Sequence, residues 1–336
     1  INHDQLPNQY NSMGSDLFTK VPNPLYGLVP AKNAILGSPT IGKGYLLKPH
    51  PQYLSMTEDS PNIAGSSYQA LQVRVEERFR SAGVLLVSYT HAHLQGTADV
   101  LTGYLETSRF GVGGASGVQD NNNIAGEQSL SSFDVPNRLV VSYTLGLPVG
   151  RGKWLLSNAN GFVNRIVGDW KLNGIYTAQS GFPLAFQYSS ANTLQTNFAA
   201  GDAGPGLPAG VSRPDFVPNA TGCANNKSIS GSPKNKLTKY FNTACFVKSS
   251  EFAYGNEPRV DPDLRAEGIN NFDFSLGKSV SIEGRFNFEF RAESFNLLNR
   301  TQFAPPNAQV DVATYGTVAT QINQPRLLQL SGRINF

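Results

Sequence analysis

Long apolar runs are missing from this sequence of 336 residues, and their absence limits its class. No stretch approaches the roughly 18 apolar residues of a membrane-spanning helix, which excludes a helical membrane protein. The net charge is only +3, from 27 basic and 24 acidic residues dispersed along the chain, so we expect no nucleic-acid partner. A Gly-x-Ser-x-Gly elbow, a spaced His-Asp set and a phosphate-binding loop are also missing, and we expect neither enzymatic activity nor a cofactor.

What the sequence does have is strict alternation, most clearly in residues 326–336. The apolar side chains share one face of a strand and the polar ones share the other: Leu328, Leu330, Ile334 and Phe336 against Gln329, Ser331, Arg333 and Asn335. A wall between lipid and water needs one face of each kind, because strand side chains have a period of two. Leu330, Ile334 and Phe336 also resemble the C-terminal signal that the outer-membrane insertion machinery of bacteria reads. We therefore expect that machinery and outer-membrane lipid as partners.

The alternation or a comparable strand pattern recurs along the chain. We predict strands at 44–54, 68–79, 84–94, 136–147, 169–186, 270–282 and 285–298, of which 44–54 has the weakest pattern. A half-buried strand of a soluble sandwich also alternates, so the pattern alone leaves that class open. Length favours a membrane barrel, since a tilted spanning strand needs ~9 to 11 residues and globular strands have about 5 to 6.

The connections give an independent test of the barrel. With Phe336 placed in the periplasm, connections 80–83 and 283–284 are periplasmic and short, as expected for an outer-membrane barrel. The extracellular loops are long, at 95–135, 187–269 and 299–325. Connection 148–168 is long for a periplasmic turn, and we interpret it as a local excursion.

The predicted fold is all-β, one antiparallel meander forming a single partial barrel domain over 1–336. Its parts are a loop with a short helix near 9–20 (1–43), strands around the first long loop (44–147), a periplasmic connection and strand (148–186), the longest loop (187–269) and the last strands (270–336). The glycine-rich runs 111–117 and 200–210 indicate flexible loop.

Charged side chains occupy the inward face of the predicted strands. The candidate lumen-facing residues are Arg74, Glu76, Arg78, Arg138, Arg285, Glu289, Arg291, Glu293 and Arg333. Buried charges must be compensated, so we expect most of them to pair across strands or against another domain rather than to bind solute. An eight-stranded barrel has an interior that side chains just fill, and these charges therefore favour a wider lumen.

Six segments carry a family resemblance, in order along nearly the whole chain. They are 65–76 (GSSYQALQVRVE), 87–90 (VSYT), 133–138 (FDVPNR), 147–153 (LPVGRGK), 168–174 (GDWKLNG) and 290–299 (FRAESFNLLN). The chain resembles the C-terminal barrel half of TonB-dependent receptors, specifically the Oar-like type with a carboxypeptidase-regulatory-like N-terminal domain.

The resemblance implies a 22-stranded barrel in the bacterial outer membrane, closed around a plug and importing a large or scarce solute with energy passed on by TonB. This chain would supply about the last eight strands. We find no plug, TonB box or N-terminal domain in these residues and expect a fragment of a longer chain. Its partners would be the plug of the same full-length chain and, indirectly, the TonB complex. A passive porin-like or structural barrel is the alternative, and a soluble secreted sandwich fits the turns less well.

Few residues carry specific chemistry. His91 and His93 share one strand face, and Asp261 and Asp263 flank Pro262, but neither pair has the additional ligands that zinc or calcium requires, so we expect no metal site. The only two cysteines, Cys223 and Cys245, lie in the longest predicted loop. An even count in an oxidising compartment favours a disulfide over two free thiols.

Overall fold

One antiparallel sheet of seven long strands dominates the structure, a computed structural model that describes residues 1–28, 35–53, 56–58, 62–80, 82–97, 118–187, 213–223, 233–282 and 286–336. The strands are β1 (Lys20–Pro22), β2 (Thr40–Gly42), β3 (Ser66–Phe79), β4 (Gly83–Gly96), β5 (Ser129–Leu130), β6 (Asn137–Gly146), β7 (Trp170–Gln179), β8 (Asp215–Phe216), β9 (Phe246–Val247), β10 (Ile269–Ile282), β11 (Phe286–Phe295) and β12 (Leu327–Asn335). The α-helices are α1 (Lys43–Leu46), α2 (Gly161–Val167) and α3 (Pro233–Thr238), and 3-10 segments cover Asn8–Phe18, Ile124–Glu127 and Thr243–Cys245.

The long strands follow one another as a meander. Their order in the sheet is β3-β4-β6-β7-β10-β11-β12, and the short β5 extends the sheet beside β4. Every pairing between long strands is antiparallel, which confirms the predicted all-β meander. In the described part of the chain, β3 and β12 are the two edges and do not pair with each other, so the sheet is open. The count of 22 strands stays a prediction.

Two of the predicted strands differ from the structure. The strand predicted at 44–54 is not formed by its described residues, 44–53: α1 begins at Lys43, Tyr45 is buried, and Pro49 and Pro51 follow. The strand predicted at 169–186 ends at Gln179, because Leu184 and Phe186 leave the sheet to enter a buried aromatic cluster. In the described residues the wall therefore has seven long strands, where about eight were predicted. The predicted helix near 9–20 corresponds to the 3-10 segment Asn8–Phe18.

Short and long connections separate to opposite ends of the sheet, as predicted. The short-turn end carries 80–82, 283–285 and the excursion between β6 and β7; the long-loop end carries the connections after β4, β7 and β11. At the short-turn end, Gly83 has a φ of 131°, and a Cβ there would lie 1.9 Å from the carbonyl oxygen of Thr144. Only glycine fits where β4 turns back beside β6.

The register sorts side chains into an apolar face and a polar face that continue from strand to strand. One row of the apolar face consists of successive partners on five strands: Leu330, Ala292, Leu276, Leu172 and Leu145. Six residues predicted to face lipid are between 37% and 73% exposed: Leu71, Val73, Phe286, Phe288, Leu330 and Ile334. An apolar face left exposed to this extent needs lipid to cover it, since a soluble sandwich would bury it in a closed interior.

The long connections pack into a folded layer, here called the loop layer, which comprises the described parts of 1–58, 118–134, 180–268 and 296–326. Its main core is built from Leu184, Phe186, Phe241, Phe246 and Leu264, all at most 2% exposed. The rings of Phe186 and Phe246 stack at 3.9 Å, and Phe241 meets Phe186 edge-on at 5.0 Å. A second core near the N-terminus contains Ile35, Leu36, Ile41 and Tyr45.

Candidate functional site

The polar face of the sheet holds the predicted lumen charges together. Arg74, Glu76 and Arg78 follow one another on β3, and Glu76 lies 3.4 Å from Arg74 and 2.7 Å from Arg78. The register places Arg138 on the same face, opposite Thr90 and Gln179. These four charged side chains therefore share the polar face of the wall, three on β3 and one on β6.

A second group of charges covers the last two strands. Arg291 lies 3.6 Å from Glu293 on β11, and Glu289 is the direct cross-strand partner of Arg333. Arg285 is outside the described residues. The sequence reasoning missed Lys171 and Asp273, which the register places on the same polar face through their partners Gly277 and Ile175. Both residues stand between apolar neighbours in the sequence, as several of the predicted lumen charges do. The same period-two rule applied to β7 and β10 would have found them.

The arginines of this face remain open to solvent. Side-chain exposure is 68% for Arg74, 77% for Arg78 and 58% for Arg291, whereas Glu76 and Glu293 are more covered. Such exposed pairs contribute little to stability. The face can therefore offer guanidinium and carboxylate groups to water, to a solute or to another protein surface.

At the long-loop end of the wall, the loop layer contains buried charged side chains. No periodic pattern in the sequence predicts them. The Arg213 guanidinium donates to the Glu127 carboxylate, and Arg259 donates to the backbone oxygens of Glu127 (3.3 Å) and Gly96 (2.6 Å). Glu127, Arg213 and Arg259 are each at most 6% exposed. Burial lowers the pKa of Arg213, and the neighbouring Glu127 opposes that shift. Arg259 thus ties the longest loop to the end of β4.

Asp134, which is 1% exposed, makes a second buried contact of this kind. Its carboxylate accepts from Arg265 at 2.5 Å and from the backbone N–H of Leu94 at 2.7 Å. Arg265 also donates to the carbonyl of Gly181 at 3.2 Å. The connection after β4 and the connection after β7 are thereby fixed to each other and to the end of β4.

The N-terminal residues join the same structure. The Gln5 side chain donates to Asp120 (2.7 Å) and to Tyr254 (2.9 Å), while its oxygen accepts from the backbone of Asn121 (2.8 Å). Burial raises the pKa of Tyr254, and nearby Asp120 adds to the effect. The loop layer is therefore one connected polar and apolar structure.

The two cysteines are bonded inside the main core of this layer. Their Sγ atoms are 2.08 Å apart, their Cα atoms are 5.4 Å apart, and both residues are at most 2% exposed. The disulfide joins the segment after β8 to the segment that begins β9. Its position among phenylalanine rings makes it a structural element of the loop layer.

The weak metal candidates have other contacts. His91 lies on the apolar face with Nδ1 3.1 Å from the Asn137 side chain, and His93 Nδ1 is 4.0 Å from Asp134. The Asp261 carboxylate accepts from the backbone N–H groups of Asp263 and Leu264, both at 2.8 Å, and so closes its own turn. These contacts assign the side chains to local structure.

A cleft of about 390 Å³ opens within the loop layer between the ends of two long connections. The described residues that line it carry no charge, and its polar groups are amides and hydroxyls: Gln187, Asn307, Gln309, Thr314, Thr317 and Thr320. A surface of this kind suits hydrogen bonding to a neutral solute. It complements the charged wall below.

The predicted insertion-signal residues lie at the end of the sheet. Leu330 and Ile334 project from the apolar face of β12, and Phe336 follows the strand with 97% exposure. Among the described residues, the helices are all too short or too polar to cross a membrane.

The apolar face, the polar face and the separation of turns from loops agree with a comparison with known families. A family model described as an outer membrane beta barrel domain matches residues 4–329. No curated protein matches the chain. The matched region includes six of the seven long strands completely, the first three residues of β12, and nearly all of the loop layer. The chain therefore belongs to the outer membrane beta barrel domain family, and its place is the bacterial outer membrane.

Proposed function

We propose that the chain is the barrel wall of a TonB-dependent receptor that takes part in energy-coupled uptake of a large or scarce solute. The observation that carries the proposal is the charge of the polar face. Six of the seven long strands place ten charged side chains there: Arg74, Glu76, Arg78, Arg138, Lys171, Asp273, Glu289, Arg291, Glu293 and Arg333.

These charges need more room than a small barrel offers. Side chains just fill the interior of an eight-stranded barrel, and an ion pair without water is expensive there. The arginines of β3 and β11 are more than half exposed although each has a carboxylate partner, so they can also contact another surface. A wide lumen with a polar plug would supply both the space and that surface.

The ordered segments of the TonB-dependent receptor resemblance supply the second support. Within the sheet they coincide with the strands that carry the charges, since 65–76 covers the first part of β3 and 290–299 the last part of β11. The loop layer would then form the outer surface that meets the solute. Its fixed ion pairs and its uncharged cleft favour a preformed binding surface over a set of mobile loops.

A passive porin-like barrel is the competing function, because a charged lumen also suits ion flow. The two functions differ in conductance and in contact with TonB. The protein expressed from its complete gene should be reconstituted in planar lipid bilayers, and its binding to the purified periplasmic domain of TonB from the same bacterium should be measured.

For a plugged receptor we expect no steady ionic current and specific binding of the TonB domain. Removal of the predicted plug should open a steady current and thus provides the positive control for insertion. A steady current from the intact protein, together with no TonB binding, would refute the receptor and support the porin.

A further inference from the structure

The excursion between β6 and β7 exposes an unusual set of apolar side chains at the short-turn end. Trp154 is 83% exposed and Phe162 75% exposed, with Leu155, Leu156 and Ile166 also about half exposed. These five large apolar side chains lie within residues 154–166, a segment here called the foot. Single exposed apolar residues are ordinary on a surface, but a concentration of this kind in one short connection points to an interaction site.

Two asparagine side chains hold the turn of the foot together through hydrogen bonds to its backbone. Asn160 caps α2 by accepting from the backbone of Val163 at 2.8 Å, and Asn164 accepts from the backbone of Arg151 at 2.6 Å. A Cβ on Gly150 or Gly168 would lie 2.6 or 2.7 Å from the Asn164 side chain, so the chain packs closely around that residue. The backbone of the turn is thus fixed by local hydrogen bonds while its large apolar side chains remain exposed.

Contacts with the sheet place the foot on the apolar side of the wall. The indole of Trp170 donates to the carbonyl of Ile166 at 3.0 Å, and the Lys278 ammonium donates to the same carbonyl at 3.0 Å and to that of Gly168 at 2.5 Å. Trp170 and Lys278 are register partners, and Lys278 is next paired with Phe290 of the apolar face. The end of α2 therefore lies against side chains that face lipid.

The charge of the excursion points to the same occupant. Residues 147–168 contain Arg151, Lys153 and Arg165 and no acidic residue. A segment with an aromatic and aliphatic surface next to basic side chains is typical of a structure that lies in a lipid interface. Anionic headgroups attract such basic side chains.

We propose that the foot inserts into the periplasmic leaflet of the outer membrane, with Trp154 and Phe162 among the acyl chains and the basic residues at anionic phospholipid headgroups. The apolar surface that faces lipid on the strands thus continues onto the foot at the periplasmic end of the wall, instead of ending at β7. The excursion acts as an anchor that fixes the height of the wall in the bilayer. The proposal rests on the outer-membrane barrel and does not depend on solute uptake.

Fluorescent labels placed on the foot test this directly. Trp154→Cys and Phe162→Cys variants, and the matched control Asn158→Cys from the same exposed stretch, should be made in the protein from its complete gene, without other reactive thiols. Each carries a nitrobenzoxadiazole label and is refolded into vesicles of phosphatidylcholine and phosphatidylglycerol. Only protein that migrates as folded on unheated gels is measured, so a variant that fails to fold does not enter the comparison.

At 154 and 162 we expect emission shifted to the blue, quenching by doxyl-labelled phospholipid, and protection from aqueous iodide. At 158 we expect the emission and the iodide quenching of a label in water. Iodide quenching at 154 and 162 equal to that at 158 would overturn the proposal. Protection at these sites that appears in whole cells but is missing in pure lipid vesicles would also overturn it and would indicate a protein occupant.

Discussion

Arginine substitutions at three consecutive positions of β12 test the register of the wall most sharply. Leu330 projects from the apolar face and is 73% exposed, so Leu330→Arg places a cation in lipid. An arginine on the lipid face costs roughly 2 to 4 kcal/mol near the bilayer midplane. Leu330 is the fourth residue of the nine in β12 and belongs to the apolar row of four leucines and one alanine that crosses five strands, so we expect a cost in this range.

The neighbours on either side serve as controls with different expected costs. Ser331 faces Arg291 and Gln329 faces Glu293. Opposite charges across strands contribute roughly 0.2 to 1 kcal/mol, and like charges destabilise by a similar amount. We expect Gln329→Arg to be neutral or slightly stabilising, Ser331→Arg to cost under about 1 kcal/mol, and Leu330→Arg to cost the most.

The assay is unfolding by urea after the protein from the complete gene has been refolded into lipid vesicles. The folded yield is measured separately, because all three positions lie close to the predicted insertion signal at Leu330, Ile334 and Phe336. Equal urea midpoints for the three variants would refute the register. A larger cost at 329 or 331 than at 330 would mean that the two faces of β12 have been exchanged.

Three further predictions concern the loop layer and the packing of the wall. Replacing both cysteines by alanine should destabilise the loop layer by about 3 kcal/mol from loop-closure entropy, so that protease cuts the long loops faster while the barrel still migrates as folded on unheated gels; unchanged cleavage would contradict it. Glu127→Gln should speed the same cleavage, because it leaves Arg213 buried without its carboxylate, at roughly 3 to 5 kcal/mol; cleavage at the rate of the unaltered protein would count against that buried pair. Gly174→Ala should lower the free energy of unfolding by about 1 kcal/mol, and with it the urea midpoint, since a Cβ there lies 2.5 Å from the Tyr143 ring. Gly332→Ala on the same face is the control, because a Cβ there meets only ordinary contacts at 3.6 Å. Equal urea midpoints for the two variants would refute the ring contact.

The wall was predictable from sequence because a single local rule generates it. Period-two alternation and strand length together located all seven long strands, and the difference in connection length located their two ends. Prediction of the strand at 44–54 was wrong where alternation was weakest, since Tyr45 is buried in a local core instead of lying on a face. The prediction that β7 extends to residue 186 was wrong for a related reason. Leu184 and Phe186 continue the apolar pattern of the strand, but they are buried in the main core of the loop layer.

The loop layer could not be predicted because its contacts join distant parts of the chain. Glu127 and Arg213 are 86 residues apart in sequence, and Gln5 reaches Tyr254 across 249 residues. The sequence indicated only that these connections were long and that one of them contained two cysteines. A single sequence has no local period that reports such pairs, so the ion pairs and the aromatic cluster required the structure.

The two parts of the chain rely on different driving forces, and that difference makes their perturbations separable. The loop layer buries phenylalanine rings, a disulfide and ion pairs, which stabilise it in water as in an ordinary globular protein. The wall leaves its apolar face exposed and depends on lipid to cover it. A change in the core of the loop layer should therefore alter the protease resistance of the loops without changing the stability of the wall. A charge introduced on the apolar face should destabilise the protein only in a bilayer. The foot belongs to the second kind although it is a connection, because its apolar side chains point outward beside Trp170 and Lys278.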